Sequence, residues 1–548
     1  MGLIENMAKA QQEMTRRRFL RNSAAVVGGG VGTLYLAGCG GGTTTTTGGE
    51  TTTTGGETTT TGGETTTTGG ETTTSVAASD DALWKQYSGT KLVQIMENTP
   101  PSSGYKILFP EFVAKTGIQM EMIQDDLGTV FEKLGIDLRA GSDQYQLNYD
   151  QDKLIGSEYA DFWVDQTKFY TDKTLPLDPE GYADETFLPN YVNACGRYYS
   201  KDKVVGTPYD NSIIGMAYRK DMFEKFSDGF NKEYGYPMVY NSPDANWKNC
   251  LEWSTYVKKA RTSTDPYGFG LQLGNFALCT QLDIQRMCYS HGQWLEFPTV
   301  DDSIGSKTPG ATQWGDAQSI KSLELYNSFF KVGSPDGLAL GPLELSDAIK
   351  AGKIGFATEF NEFFNTLEDT KTSTVAGKMA YDVNPKGHDD YLVDKTKKLV
   401  NATNCGVAGI AINASATEDQ QRAAWTYIAW VTSAATQKAC LKGYGATPTR
   451  VSVVNDPEVQ AAQGTPYPAG SATGRTSPST MPNAMSLPSI AYGMQAPHVV
   501  FGPKIPKSGE YYSMVATEVM NMCAGKQTPA QTGANLKDKT TAFVATIK

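Results

Sequence analysis

Two carboxylates flank an indole in Asp161-Phe162-Trp163-Val164-Asp165, and a pair of acids is all that glycoside hydrolysis requires of a sequence. Other catalytic signatures are missing. The chain has no G-x-S-x-G, H-E-x-x-H or G-x-x-x-x-G-K-[ST] run, so serine-hydrolase, zinc-protease and phosphate-loop chemistries lack their local motifs. Only 3 histidines occur (His291, His388, His498), a scarcity that argues against a multi-histidine metal site. No C-x-x-C occurs either, which removes the usual redox and zinc-ribbon patterns. What remains is chemistry of recognition. Polar pairs stand where strands end, at Glu97-Asn98 and Asp150-Gln151. Sheets of parallel strands bind ligands at such carboxyl ends. The competing reading of each pair is a helix cap.

The elements that position these pairs follow from periodicity. Lys91–Glu97 alternates as a strand, Tyr105–Thr116 reads as a helix closed by Gly117, and Ile118–Gln124 alternates again. Leu127–Ala140 places Val130, Leu134 and Leu138 on one helical side, and Tyr145–Tyr149 is a short strand. Strand, helix, strand, helix, strand at this spacing predicts an α/β unit with parallel strands. Further on, Tyr267–Leu273, Lys353–Thr358 and Val407–Asn413 read as strands between helical stretches. Trp247 and Trp425 fall in helical patterns and are expected in the core. Ser415 with Glu418 predicts a capping box for the helix that carries Trp425. Gln463 to about Pro488, rich in Gly, Pro, Ser and Thr, predicts a long surface loop, and two helices are expected over Gly509–Ala524 and Thr528–Ile547.

The 548 residues allow roughly two to four domains. Apolar residues make up 39% and charged residues 20%, which excludes a disordered chain and a multi-span membrane protein. A net charge of −11 argues against nucleic acid as a partner. The chain divides into three parts: residues 1–39, 40–79 and 80–548. The first carries Arg16 and Arg17 ahead of a weakly apolar, glycine-rich run ending in Leu36-Ala37-Gly38-Cys39. That run is too short for a span of about 20 residues. It resembles a twin-arginine export signal followed by a bacterial lipobox, which implies acylation of Cys39 and an exported, lipid-anchored protein on the outer face of the membrane. The alternative is a short apolar anchor containing an unmodified cysteine. In the second part Gly-Gly-Glu-Thr-Thr-Thr-Thr recurs every seven residues from Gly48 to Glu71 with no apolar position, so no coiled-coil seam exists. Such a tether has a mean reach of roughly 35 Å.

The third part carries a family resemblance. Gly206-Thr207-Pro208-Tyr209-Asp210, followed by Ile213–Arg219 and Lys220-Asp221-Met222-Phe223, is similar to a segment of the solute-binding proteins of carbohydrate ABC importers, the group related to maltose-binding proteins. Asn246–Ala260, Ala351–Phe356 and the stretch from Ala423 through Trp430, Gln437, Gly445 and Pro448-Thr449-Arg450 to Asp456-Pro457 resemble further segments of that family in the same order. The chain departs from the pattern at Asn404-Cys405.

The resemblance implies an α/β periplasmic-binding-protein-like clamp of two lobes. Each lobe would be a mainly parallel sheet flanked by helices, with the chain crossing between them near 206–212 and 351–362. It implies capture of a sugar or oligosaccharide and delivery to ABC permease subunits, with no cofactor, no metal and no catalysis. Hydroxyl edges call for carboxylates and amides, and sugar faces call for aromatic rings. The site residues it implies are Glu97, Asn98, Asp150, Gln151, Tyr209, Asp210, Ser212, Glu359, Phe360 and Asn361. Trp163, Trp294 and Trp314 are the stacking platforms expected beside them. A secreted lipid-anchored glycoside hydrolase built on Asp161 and Asp165, and a solute sensor without transport, are the other readings. Seven cysteines remain after Cys39, so at least one stays unpaired. Cys279 and Cys288, about 13.5 Å apart along one helix, cannot bridge each other.

Overall fold

The structure, a computed structural model, describes residues 80–547 apart from 242–243, 275–276, 293–296, 298–299, 302 and 478. Cys39, Arg16, Arg17 and Trp294 lie outside the described residues. Along the chain the strands are β1 (Lys91–Glu97), β2 (Gln119–Asp125), β3 (Leu147–Gln151), β4 (Gly206–Asn211), β5 (Ile214–Arg219), β6 (Tyr267–Gly270) and β7 (Ile354–Phe360). They continue as β8 (Met379–Asp382), β9 (Thr403–Asn404), β10 (Val407–Ile412), β11 (Thr465–Pro466), β12 (Arg475–Thr476) and β13 (Val499–Val500).

Two sheets organise two lobes. The first has the order β2-β1-β3-β10-β4, the second β11-β12-β8-β5-β7-β6. The α/β, two-lobed architecture matches the expectation, but the strand directions do not. In the first sheet β2, β1 and β3 run parallel, while β10 enters antiparallel to both β3 and β4. In the second, only β6 and β7 are parallel. The reason is topological: β10 returns from the second lobe and inserts between strands that an earlier pass had laid down.

Local chemistry sets the element ends. Thr99 caps the helix Pro100–Ile107, and Asp126 caps Leu127–Arg139 through Thr129 N–H. Gly117 closes Phe109–Thr116 in the left-handed region at φ 73°, which a residue with a Cβ adopts at a cost. The expected single helix over 105–116 is two, because Pro110 cannot donate the amide hydrogen bond that would continue the first. The box that starts Glu418–Val431 is Thr417 with Gln420, not Ser415 with Glu418, since the Ser415 N–H already binds the Asn413 side chain. The segment 463–488 is not a bare surface loop. It adds β11 and β12 to the second sheet and buries Asn483, Ala484 and Met485.

Aromatic packing fills the first lobe: Trp425 stacks on Phe169 at 5.4 Å and meets Tyr182 edge-on at 4.9 Å. Trp247 is equally buried, in contact with Phe269 and Phe329. Cys279 and Cys288 share the helix Ala277–Tyr289, and all seven cysteines of the body are buried free thiols.

The chain crosses from the first sheet to the second at Ser212-Ile213, between β4 and β5. The expected second crossing at 351–362 does not occur there. That stretch holds β7, which stays in the second sheet, and the return to the first sheet runs through 403–407. A further passage joins the helix Pro457–Ala461 to β11.

Candidate functional site

Both sheets present strand ends to the crossings. From the first sheet come Glu97 on β1, Tyr149 on β3, and Asp210 and Asn211 on β4. From the second come Glu359 and Phe360 on β7, with Gln272 just past β6. β7 ends there because it runs antiparallel to β5, pairing Phe360 with Ile214 beside the crossing.

The crossing itself is held by side chains. Asn361, fully buried, accepts the Ile213 N–H at 2.6 Å and donates to Thr447 Oγ1 at 2.7 Å. The Thr447 N–H donates to Asp210 Oδ1 at 2.9 Å. Tyr381 donates its hydroxyl to the Ile213 carbonyl at 3.2 Å, and Asn384 donates to those of Ile214 and Ala402. Ser212 Oγ lies 3.1 Å from Asp210 Oδ2 and 2.6 Å from Glu362 Oε2.

The electrostatics are dominated by buried acids. Burial pushes the Glu97 carboxyl up to about 7 against a hydrogen bond from Tyr149, with Asp126 adding to the rise. Burial likewise takes Asp210 to about 7. Glu359 and Glu362 are held well above the usual carboxylate range by burial, and Asp210, Glu97 and Glu359 all act on Glu362. On the Ala277–Tyr289 helix, Asp283 reaches about 6 through burial, offset by Arg286. Arg286 pairs with Asp283 and donates to Asn404 Oδ1 at 2.7 Å and Thr358 Oγ1 at 3.0 Å. Both amide atoms of Asn211, Glu359 Oε2 and Gln272 Oε1 are buried without a hydrogen-bond partner among the described residues. Buried polar atoms are nearly always paired, so such a cluster marks a place built to meet polar atoms. Neutral carboxyls can both donate and accept, as hydroxyl groups do.

The structure therefore brings together Glu97, Tyr209, Asp210, Ser212, Glu359, Phe360 and Asn361 from the expected set. Tyr209 is buried, with its hydroxyl 3.5 Å from Ser102 Oγ and its carbonyl taken by Tyr105. Asn98 is exposed beside Glu97, its N–H tied to the Asp125 carbonyl.

Other expected residues are placed elsewhere. Asp150 falls inside β3 rather than after it and turns into the lobe, accepting from Tyr198 and facing the buried Lys504. Burial lowers that lysine to about 8. Gln151 caps the Leu154 N–H and binds Asp152. Trp163 and Trp314 are core residues, not stacking platforms. Their indole N–H groups donate to Asn148 and Tyr511 inside the lobes. The acid pair around Trp163 is also dispersed. Asp161 is exposed and paired with Lys307, while Asp165 caps a turn through Thr167.

Sequence reasoning missed Tyr149, Asn211, Gln272, Asp283, Arg286 and Glu362. Tyr149 had a signal in strand alternation, because it sits on the opposite face from Asp150. Glu362 directly follows an expected residue.

Comparison with known proteins bears on the family and the fold. Residues 108–466 match the model of the bacterial extracellular solute-binding protein family. A periplasmic-binding protein ascribed to an amino-acid ABC transporter of Sinorhizobium fredii is 21% identical over 470 residues, covering 84% of this chain and 91% of that protein. Two solved folds resemble this one with a TM-score of 0.65. One is an ABC transporter solute-binding protein of Agrobacterium radiobacter in complex with ribitol, 19% identical, covering 83% of this chain and 98% of that one. The other is maltose-bound MalE3 of T. maritima, 15% identical, covering 83% of this chain and all of that one.

Proposed function

Because the chain belongs to the bacterial extracellular solute-binding protein family, we propose that it captures a sugar or sugar alcohol between its lobes and hands it unchanged to the permease of an ABC importer. One observation carries this reading: Glu97, Asn211 and Glu359 come from two sheets to the crossing, as carboxyls that burial raises or as buried polar atoms without a partner among the described residues, both suited to hydroxyls. Glu97, Asn98, Glu359 and Phe360 touch the solute, while Tyr209, Ser212 and Asn361 hold the crossing that lets the lobes shut. A solute that contacts both lobes favours the shut arrangement by its differential affinity.

A thermal-shift screen of monosaccharides, polyols, oligosaccharides and amino acids tests this. Amino acids are included because of the Sinorhizobium relative. A cognate sugar at a hundred times its Kd stabilises the fold by about 2.7 kcal/mol, and a rise in Tm of several degrees is expected, with no product formed. A response to amino acids alone rejects the carbohydrate assignment.

Residues 1–39 act as a twin-arginine lipoprotein leader in this reading, and 40–79 as the tether from an acylated Cys39. Cys39→Ser is expected to move the protein from the detergent phase to the aqueous phase in a Triton X-114 partition and to abolish palmitate labelling. Unchanged partition of that variant sinks the anchor.

A further inference from the structure

Ser212 touches two carboxylates with one hydroxyl. Its Oγ is 3.1 Å from Asp210 Oδ2 and 2.6 Å from Glu362 Oε2. A hydroxyl carries one proton and two lone pairs, so it can donate to only one of them. If both carboxylates were ionised, the second contact would set lone pair against lone pair between like charges. One carboxylic proton resolves this: one acid donates to Oγ and the hydroxyl donates to the other.

The three residues come from different parts of the clamp. Asp210 is on β4 of the first sheet, Ser212 is in the crossing, and Glu362 lies two residues past β7 of the second. Their positions are fixed independently of the shared proton. Asp210 Oδ1 accepts the Thr447 N–H, and the Glu362 carbonyl accepts from Asn483 at 3.3 Å.

We propose that Asp210, Ser212 and Glu362 form a one-proton clasp between the lobes, so that the shut clamp takes up a proton and holds its solute more tightly in mildly acidic surroundings. The proposal rests on the solute capture proposed above. The groups that face Glu362 are Glu97 from β1, Glu359 from β7 and Asp210 itself, with Tyr149 from β3 alongside. Those facing Asp210 are Tyr105, Tyr191, Tyr209 and Cys440, from the helices packed on β4 and from β4 itself. All are acids or neutral groups, so they retain the proton. Arg286, the cation that faces Glu359, is already engaged by Asp283, Asn404 and Thr358.

The sign follows from linkage. Shut and dry, Asp210 titrates at about 7 and Glu362 is also raised. Parted and hydrated, each returns to about 4. Closure therefore binds a proton between those limits. The benefit is complete below pH of about 4 and fades as pH rises through about 7, by at most tenfold in affinity per pH unit for one proton.

Two measurements on the full chain decide it. Without solute, urea midpoints of the wild type and Glu362→Gln are compared from pH 5 to 8. The wild type should lose stability relative to the variant as pH rises, because it must ionise one buried acid more than the variant, which keeps Asp210. Parallel profiles overturn the clasp whether or not a solute is known. With the saccharide found in the screen, calorimetry in two buffers of different ionisation heat should show uptake approaching one proton between about pH 5 and 6 and about half a proton at pH 7. The wild-type Kd should rise by up to tenfold per pH unit between about pH 4 and 7 and level off above that, and Glu362→Gln should flatten the slope. Ser212→Ala, a smaller change, should weaken binding most at low pH and so reduce the pH dependence of Kd. A pH-independent wild-type Kd overturns the proposal. If no solute binds at all, capture itself fails, and the urea profiles still judge the shared proton.

Discussion

Arg286→Leu should destabilise the body by about 3–5 kcal/mol at pH 8, the range for removing one partner of a buried ion pair, and by clearly less at pH 5. Arg286 is fully buried on the Ala277–Tyr289 helix. It pairs with Asp283 one turn earlier and reaches both Asn404, where the chain returns to the first sheet, and Thr358 on β7. Leucine replaces the volume of the stem and none of the donors.

The pH difference comes from Asp283, which burial lifts to about 6 even with the guanidinium beside it. Without that cation its carboxyl rises further. A carboxyl whose folded-state pKa lies above its unfolded value contributes stability at low pH that is lost as pH rises. At pH 5 the variant buries a neutral acid, which costs little. At pH 8 it must bury an unpaired charge or hold a proton against the solvent. Urea unfolding at the two pH values measures this, and an equal loss at both would remove Asp283 from the explanation.

How much of this was legible in the sequence differs by scale. Elements bounded by local chemistry were readable: β1 from its alternation, the stop at Gly117, the helix after Asp126. Where two local signals overlapped, the sequence could not rank them. Ser415-Glu418 and Thr417-Gln420 are both good boxes, and only the turn at Asn413 selects the second. Strand direction was not readable, because the antiparallel character of the first sheet depends on β10, whose partners are about 200 residues or more away.

The site shows the same split. The 351–362 stretch does reach the lobe junction, as the family resemblance implied, but by ending β7 beside the crossing rather than by crossing. Asp150 was chosen as a residue after a strand. The strand runs two residues further, and alternation turns Tyr149, not Asp150, toward Glu97 and Glu362. Trp163 and Trp314 show that an indole in a loop-like stretch says little about exposure, since each has an internal acceptor for its N–H.

Asn361→Leu should cost about 2–6 kcal/mol, since it strips partners from two buried polar groups at about 1–3 kcal/mol each. The side chains are similar in size, so little of the loss is cavity. The amide accepts the Ile213 N–H and donates to Thr447 Oγ1, joining the crossing, the end of β7 and a first-lobe segment whose own N–H binds Asp210. Because that link sets where Glu359 and Asp210 stand relative to each other, affinity for the solute should fall at least tenfold alongside the stability. Asn361→Asp separates the two roles. It keeps the acceptor for Ile213 but adds a third acid beside Asp210 and Glu362, so its deficit should grow with pH while that of the leucine variant stays level. A leucine variant that unfolds within about 0.5 kcal/mol of the wild type, the scatter expected of an inconsequential surface change, would mean that Asn361 does not hold the crossing.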